Sequence, residues 1–155
     1  MNFDEAFKYG IADGIQALKI VRQHAADWAV SPDRVRFMSF AAGAMATIGV
    51  LLQSEVAARP NFVGLICDAP FGIIPSIPAG LPLIFTAWAQ DDNLVVTIAK
   101  FHDALTAARA KPETHIDNGG GHGFGMQKNG TTSDHWIEEF YWWLEAQGLT
   151  KAAAR

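Results

Sequence analysis

Asp91, Asp92 and His122 are the residues of this chain best placed to move a proton. The two aspartates follow the apolar run Leu83–Trp88 (LIFTAW). His122 lies among the glycines of NGGGHGFG, residues 118–125. A carboxylate that fixes an imidazole in one tautomer makes that imidazole a general base, the machinery of acyl transfer. Such a pair needs a nucleophile. One segment has the right surroundings for it: Ser39-Phe40-Ala41-Ala42-Gly43, between an apolar run and a small-residue run. A sharp strand-to-helix turn framed by small residues presents a nucleophile in this way. Its central residue is Ala41, and a methyl group cannot attack a carbonyl. Other chemistries find no support. The glycine cluster fails G-x-G-x-x-G because position 124 is Phe124, and no P-loop, H-E-x-x-H or paired-cysteine pattern occurs. Asp91-Asp92-Asn93 lacks the alternating ligands and glycine of a calcium loop. No metal and no cofactor is expected.

The elements that must position these residues follow from periodicity. Ile11, Ile15, Leu18, Val21, Ala25 and Trp28 form one apolar stripe of a helix, and Val30-Ser31-Pro32-Asp33 ends it. Residues 34–40 read as a strand. Ala41 to Gln53, apolar nearly all round, reads as a helix buried against a sheet. Phe62–Cys67 and Leu83–Trp88 are continuous apolar runs, as in parallel strands covered on both faces. Between them APFGIIPSIPAGLP is a structured loop whose Phe71, Ile73, Ile74 and Ile77 would make an apolar wall. Leu94, Ile98, Phe101, Leu105 and Ala108 mark a helix, Glu113–Asp117 a short strand, and Trp136, Phe140, Trp143 and Leu144 a closing helix capped at Gly148. Strands alternating with helices predict a parallel α/β sheet with right-handed crossovers and helices on both faces. Sites in such sheets lie past the carboxyl ends of the strands. The four such places begin at Ala41, Asp68, Gln90 and Gly119.

The four pieces FMSFAAGA, PLIFTAWAQDDNLV, HIDNGGGHGFGM and DHWIEEFYWWLEAQG, in this order and spacing, resemble an α/β-hydrolase. The helix ADGIQALKIVRQHAADWAVSPDRV adds to the likeness. The branch it resembles is that of dienelactone hydrolase and the acetyl-xylan-esterase-like enzymes. The resemblance covers the C-terminal two thirds of that fold. It implies a truncated α/β-hydrolase sheet of about four strands without its N-terminal strands. Residues 1–150 would form a single domain and 151–155 a frayed tail. Ala41 stands where that family has its nucleophilic serine. Asp92 matches the acid, since Val95 follows at the family's spacing, with Asp91 as its competitor. His122 matches the base, and the Ala42 N–H matches one oxyanion donor. The loop that supplies the second donor is missing. The resemblance thus implies a Ser-His-Asp carboxylic-ester hydrolase, inactive or very weak as this chain.

Plainer readings stand beside these. Asp92 suits a helix N-cap, a role compatible with that of the acid. His122 could be a loop histidine, and 39–43 an ordinary strand–helix junction. His24, His102, His115 and His135 read as surface or packing residues, and Cys67 as core. Two other functions compete with the esterase: a non-catalytic binding or assembly module, and an unrelated flavodoxin-like binder.

Composition bounds the partners. The chain has 155 residues, 50% of them hydrophobic and 18% charged, with net charge −4. That describes one globular domain with a core, and excludes extensive disorder and the basic footprint of a nucleic-acid binder. No apolar run is long enough for a membrane span, and MNFDEAFKYG carries no signal-peptide core. One cysteine excludes an intrachain disulfide and fits a reducing, cytoplasmic setting. The expected partners are a small-molecule ester, if the chain is active, and a second copy. The strand at 34–40 has no neighbour on one side within the chain, and an open strand edge invites pairing into a homodimer or higher oligomer.

Overall fold

A computed structural model describes residues 3–53, 55–68, 70 and 76–151. Four parallel strands form one sheet in the order β1 (Arg36–Phe40), β2 (Phe62–Ile66), β3 (Leu83–Ala89) and β4 (Glu113–Asp117). Helices α1 (Phe3–Gln23), α2 (Ala44–Leu51), α3 (Val95–Ala107) and α4 (Trp136–Ala146) complete it. The sheet is the predicted parallel α/β arrangement. Of the expected apolar wall, Phe71, Ile73 and Ile74 lie outside the described residues, as does the tail beyond Lys151.

Side-chain alternation divides the core in two. Phe37, Val63 and Ile84 are in register across β1–β3 and face α2 and α3, where Ala44, Ile48, Leu51, Phe101 and Leu105 cover them. On the opposite face Phe62, Ile66, Phe85 and Ala87 meet Trp136, Phe140 and Trp143 of α4. Because the strand order runs one way, right-handed crossovers put α2 and α3 on the same face. Helix α1 joins them, laying Ile11, Ile15, Leu18 and Val21 on Val50 and Phe37. The two-faced expectation holds with three helices against one. Glycines let α1 and α2 approach closely. A Cβ on Gly14 would meet Val50 at 2.8 Å, and one on Gly49 would meet Ile11 at 2.3 Å.

Three boundaries differ from the sequence reading. Helix α1 ends at Gln23 rather than near Val30, and the chain continues in tight turns. Ala29 takes a left-handed φ of 53°, and the Val30 N–H reaches back to the Ala25 carbonyl at 2.9 Å. This closure is a Schellman-type stop without the usual glycine. It carries Trp28 off the apolar stripe, leaving it 53% exposed and stacked on His24. Strand β1 begins at Arg36, because Pro32–Arg34 forms a short 3-10 turn. Helix α2 begins at Ala44, because Ala41–Gly43 forms another. The helix from Val95, β4 and the closing helix fall where periodicity puts them. Gly148, at φ 70°, caps α4, with the Leu149 N–H bonded to the Leu144 carbonyl at 2.8 Å.

Candidate functional site

At the end of β1 the backbone turns within one residue. Phe40 is extended (φ −131°), Ala41 is left-handed (φ 48°), and Ala44 is already helical. A non-glycine residue in that region costs about 1–2 kcal/mol and persists only where its surroundings enforce it. Packing behind the turn is tight: a Cβ on Gly43 would lie 3.2 Å from that of Ser39. Ala42 is the middle residue of the 3-10 turn. At the next strand end Cys67 repeats the conformation, with φ 48°. Its fully buried thiol lies near the backbone N–H groups of Gly123 and Ala41, which oppose the upward push of burial on its pKa. The end of β2 thus sits between the Ala41 turn and the loop that carries His122.

Asp92 follows β3 and is almost fully buried, 2% exposed. Its carboxylate accepts the Leu94 N–H at 2.7 Å, an Asx turn ahead of α3, whose N-cap is Leu94 rather than the Asp92 the sequence suggested, and also faces Nδ1 of His122 at 3.0 and 3.1 Å. A buried carboxylate on Nδ1 selects the tautomer protonated there. Nε2 makes no hydrogen bond among the described residues and is free to take a proton. Of the two candidate acids, then, Asp92 meets the ring. Asp91 bonds instead to loop backbone, accepting the N–H of Gly121 at 2.7 Å and of Gly120 at 3.4 Å.

Further contacts fasten the His122 loop. Trp136 Nε1 donates to the Gly125 carbonyl at 2.6 Å. Asp134 accepts the N–H groups of Asn129 and Gly130, both at 2.8 Å. Gly120, at φ 147°, sits where a Cβ would be 2.2 Å from the Ser133 hydroxyl. Glycine is required there on both counts, and the glycine-rich text of this loop reflects geometry rather than flexibility.

A buried polar pair lies beside the turn. The Ser39 hydroxyl donates to Asp68, two residues past the end of β2. Burial raises the Asp68 carboxyl to about 8, against the opposing hydrogen bonds from Ser39 and the Ile66 backbone, and its second oxygen is unpartnered. Strand-end placement singles out Asp68 in the sequence; its pairing with Ser39 had no signal there. Among the other histidines, His24 stacks on Trp28 and His102 packs near Trp88. His115 stacks on Phe85 between Glu113 and Glu139. Among the described residues no group of three or more His, Cys, Asp or Glu side chains could hold a metal ion. No helix among them is long and apolar enough to cross a membrane.

No family model matches the chain, and no curated protein does. Solved structures do. An acetyl ester-xyloside bifunctional hydrolase from Caldicellulosiruptor lactoaceticus superposes with a TM-score of 0.76 at 19% identity, over 90% of this chain and 66% of its own. A sugar hydrolase from Lactococcus lactis gives 0.76 at 18% identity, over 95% and 71%. A thermophilic esterase from Thermogutta terrifontis gives 0.74 at 22%, over 90% and 64%. The chain has the α/β-hydrolase fold and spans about two thirds of the length of these enzymes.

Proposed function

We propose that this chain carries the acid–base half of a Ser-His-Asp carboxylic-ester hydrolase site with its nucleophile position occupied by alanine. In this reading His122 is the base and Asp92 orients it. Ala41 fills the place of the serine, and the Ala42 N–H is one oxyanion donor. The observation that carries it is the His122 Nδ1–Asp92 contact at 3.0 Å on a buried carboxylate at the end of β3, on the same sheet edge as the left-handed Ala41 that follows β1, with β2 between them. A left-handed alanine at a strand-to-helix turn is strained and supports a functional reading of that turn. The solved neighbours named as esterases and hydrolases support the ester class.

As written the chain is inactive or very weak. In an intact site a hydroxyl at position 41 would give its proton to Nε2 as it attacks the ester carbonyl. Alanine supplies no such atom, and what remains is the residual catalysis of orientation. The test is Ala41→Ser on a short activated aryl ester. We expect turnover above the parent chain that disappears in Ala41→Ser/His122→Ala. No gain from the serine, or a gain indifferent to His122, contradicts the reading.

A second reading, a non-catalytic binding or assembly module, is favoured by one observation. Among the described residues β1 pairs on one side alone, with β2. In that case the serine variant stays inert while the parent chain self-associates.

A further inference from the structure

We infer that Asp91 is a positioning residue that holds the His122 loop in the geometry the imidazole needs, a role separate from that of Asp92. The inference rests on the proposed acid–base pair. Its support is the division of labour between two adjacent carboxylates. Gln90 to Asp92 leave β3 in one tight turn, with the Asp92 N–H bonded to the Ala89 carbonyl at 3.2 Å. From this turn Asp92 reaches the His122 ring, while Asp91 reaches the two residues just before it in the chain. Gly120 and Gly121 have φ of 147° and 64°. Their consecutive N–H groups both face the Asp91 carboxylate, one to each oxygen, at 2.7 Å from Gly121 and 3.4 Å from Gly120. The same contacts hold the Asp91 carboxyl below the usual carboxylate range, so it binds there as the anion.

This anchor acts where the others do not. Trp136 and Asp134 fix the loop after His122, at Gly125 and at Asn129–Gly130. Ahead of the histidine, the Asp91 carboxylate supplies the hydrogen bonds to Gly120 and Gly121. Without it the peptides leading into His122 lose their acceptor, and the ring can swing from Asp92. A displacement of about 1 Å at a reacting group can cost 10²-fold in rate. The carboxylate is exposed, so its removal leaves the core intact.

The experiment uses the full chain with Ala41 in place, which separates this inference from the ester reading. Histidine ring nitrogens are observed by 15N NMR near pH 8 in the parent, Asp91→Ala and Asp91→Asn, with thermal unfolding measured alongside. The parent should show His122 predominantly as the Nδ1–H tautomer. Asp91→Ala should mix the two tautomers and speed amide exchange at Gly120 and Gly121 about tenfold or more, with its melting temperature close to the parent's. Asp91→Asn keeps an acceptor oxygen and should lie between. In an Ala41→Ser background that shows activity, Asp91→Ala should lower kcat about 10- to 100-fold with KM nearly unchanged. A His122 tautomer in Asp91→Ala identical to the parent's overturns the inference. So does a tautomer change that merely follows global unfolding in both variants. If the serine background is inert while the tautomer responds, the ester reading fails and the positioning role stands.

Discussion

Asp92 is asked to do two jobs, and each has its own readout. Its carboxylate accepts the Leu94 N–H in an Asx turn and faces the His122 ring from a buried site. Asp92→Ala removes both acceptors, and we expect a loss of about 1–3 kcal/mol in chemical denaturation at neutral pH. Asp92→Asn keeps an oxygen for the turn and should lose less, while releasing the tautomer of His122. Asp68 makes the opposite prediction. Its carboxyl stays protonated in the folded chain up to about 8, because burial disfavours the anion. The unfolded chain ionises it at the ordinary, lower value. Between those two pKa values the folded state binds the extra proton, so stability falls as pH rises and levels off above about 8. Asp68→Asn should flatten that slope and stabilise the chain at pH 8 by on the order of 2–4 kcal/mol. A slope unchanged in the variant would remove Asp68 from this account. At this scale the sequence was most informative where chemistry coincides with a strand end, as at Asp92 and His122. It offered Asp91 only as a rival acid, not as a partner of loop backbone, and was silent on the Ser39–Asp68 pair, which depends on the register of two strands.

The loop from Asn118 to His135 and the turn at Ala41 are the elements on which the site depends. Gly120→Ala would drive a Cβ into the Ser133 hydroxyl at 2.2 Å, in a backbone conformation that alanine resists. Gly123 is also left-handed, at φ 76°, but has open space around it. Gly123→Ala should therefore cost about 1 kcal/mol, and Gly120→Ala at least twice that. Ser133→Ala should recover part of the difference, since it removes the closer of the two clashing atoms. Equal losses at the two glycines would argue against the packing. Apolar period located α3 and α4, and a continuous apolar run located β2, because those elements bury whole stripes or both faces. It misplaced the end of α1 and the start of α2. There the outcome turns on left-handed backbone at Ala29 and Ala41, a conformation that alanine's sequence statistics argue against.

Across the whole molecule, the sheet's monotonic order sets what is covered and what is open. Among the described residues three helices lie on one face, and α4 with Phe124 covers the other. Near β1 that second face is thin: Phe40 touches Trp136 edge-on yet remains 41% exposed. An edge strand with an exposed aromatic beside it is a template for a second copy. Sedimentation across micromolar concentrations should reveal a dimer or larger species, and a strictly monomeric protein throughout would contradict this. Sequence alternation anticipated both the parallel sheet and helices on two faces. The three-to-one distribution needed the strand order, which no local pattern encodes.

We propose that His122 and Asp92 are assembled to activate a hydroxyl that position 41 lacks. Covalent capture tests it most directly. Ala41→Ser is incubated with an aryl phosphonate that phosphonylates activated serines, and the intact protein and its peptides are weighed. We expect one adduct, on the peptide containing position 41, absent from the parent chain and from Ala41→Ser/His122→Ala. A serine that stays unmodified in a correctly folded variant, or one that reacts equally well without the histidine, would mean that His122 and Asp92 do not activate position 41.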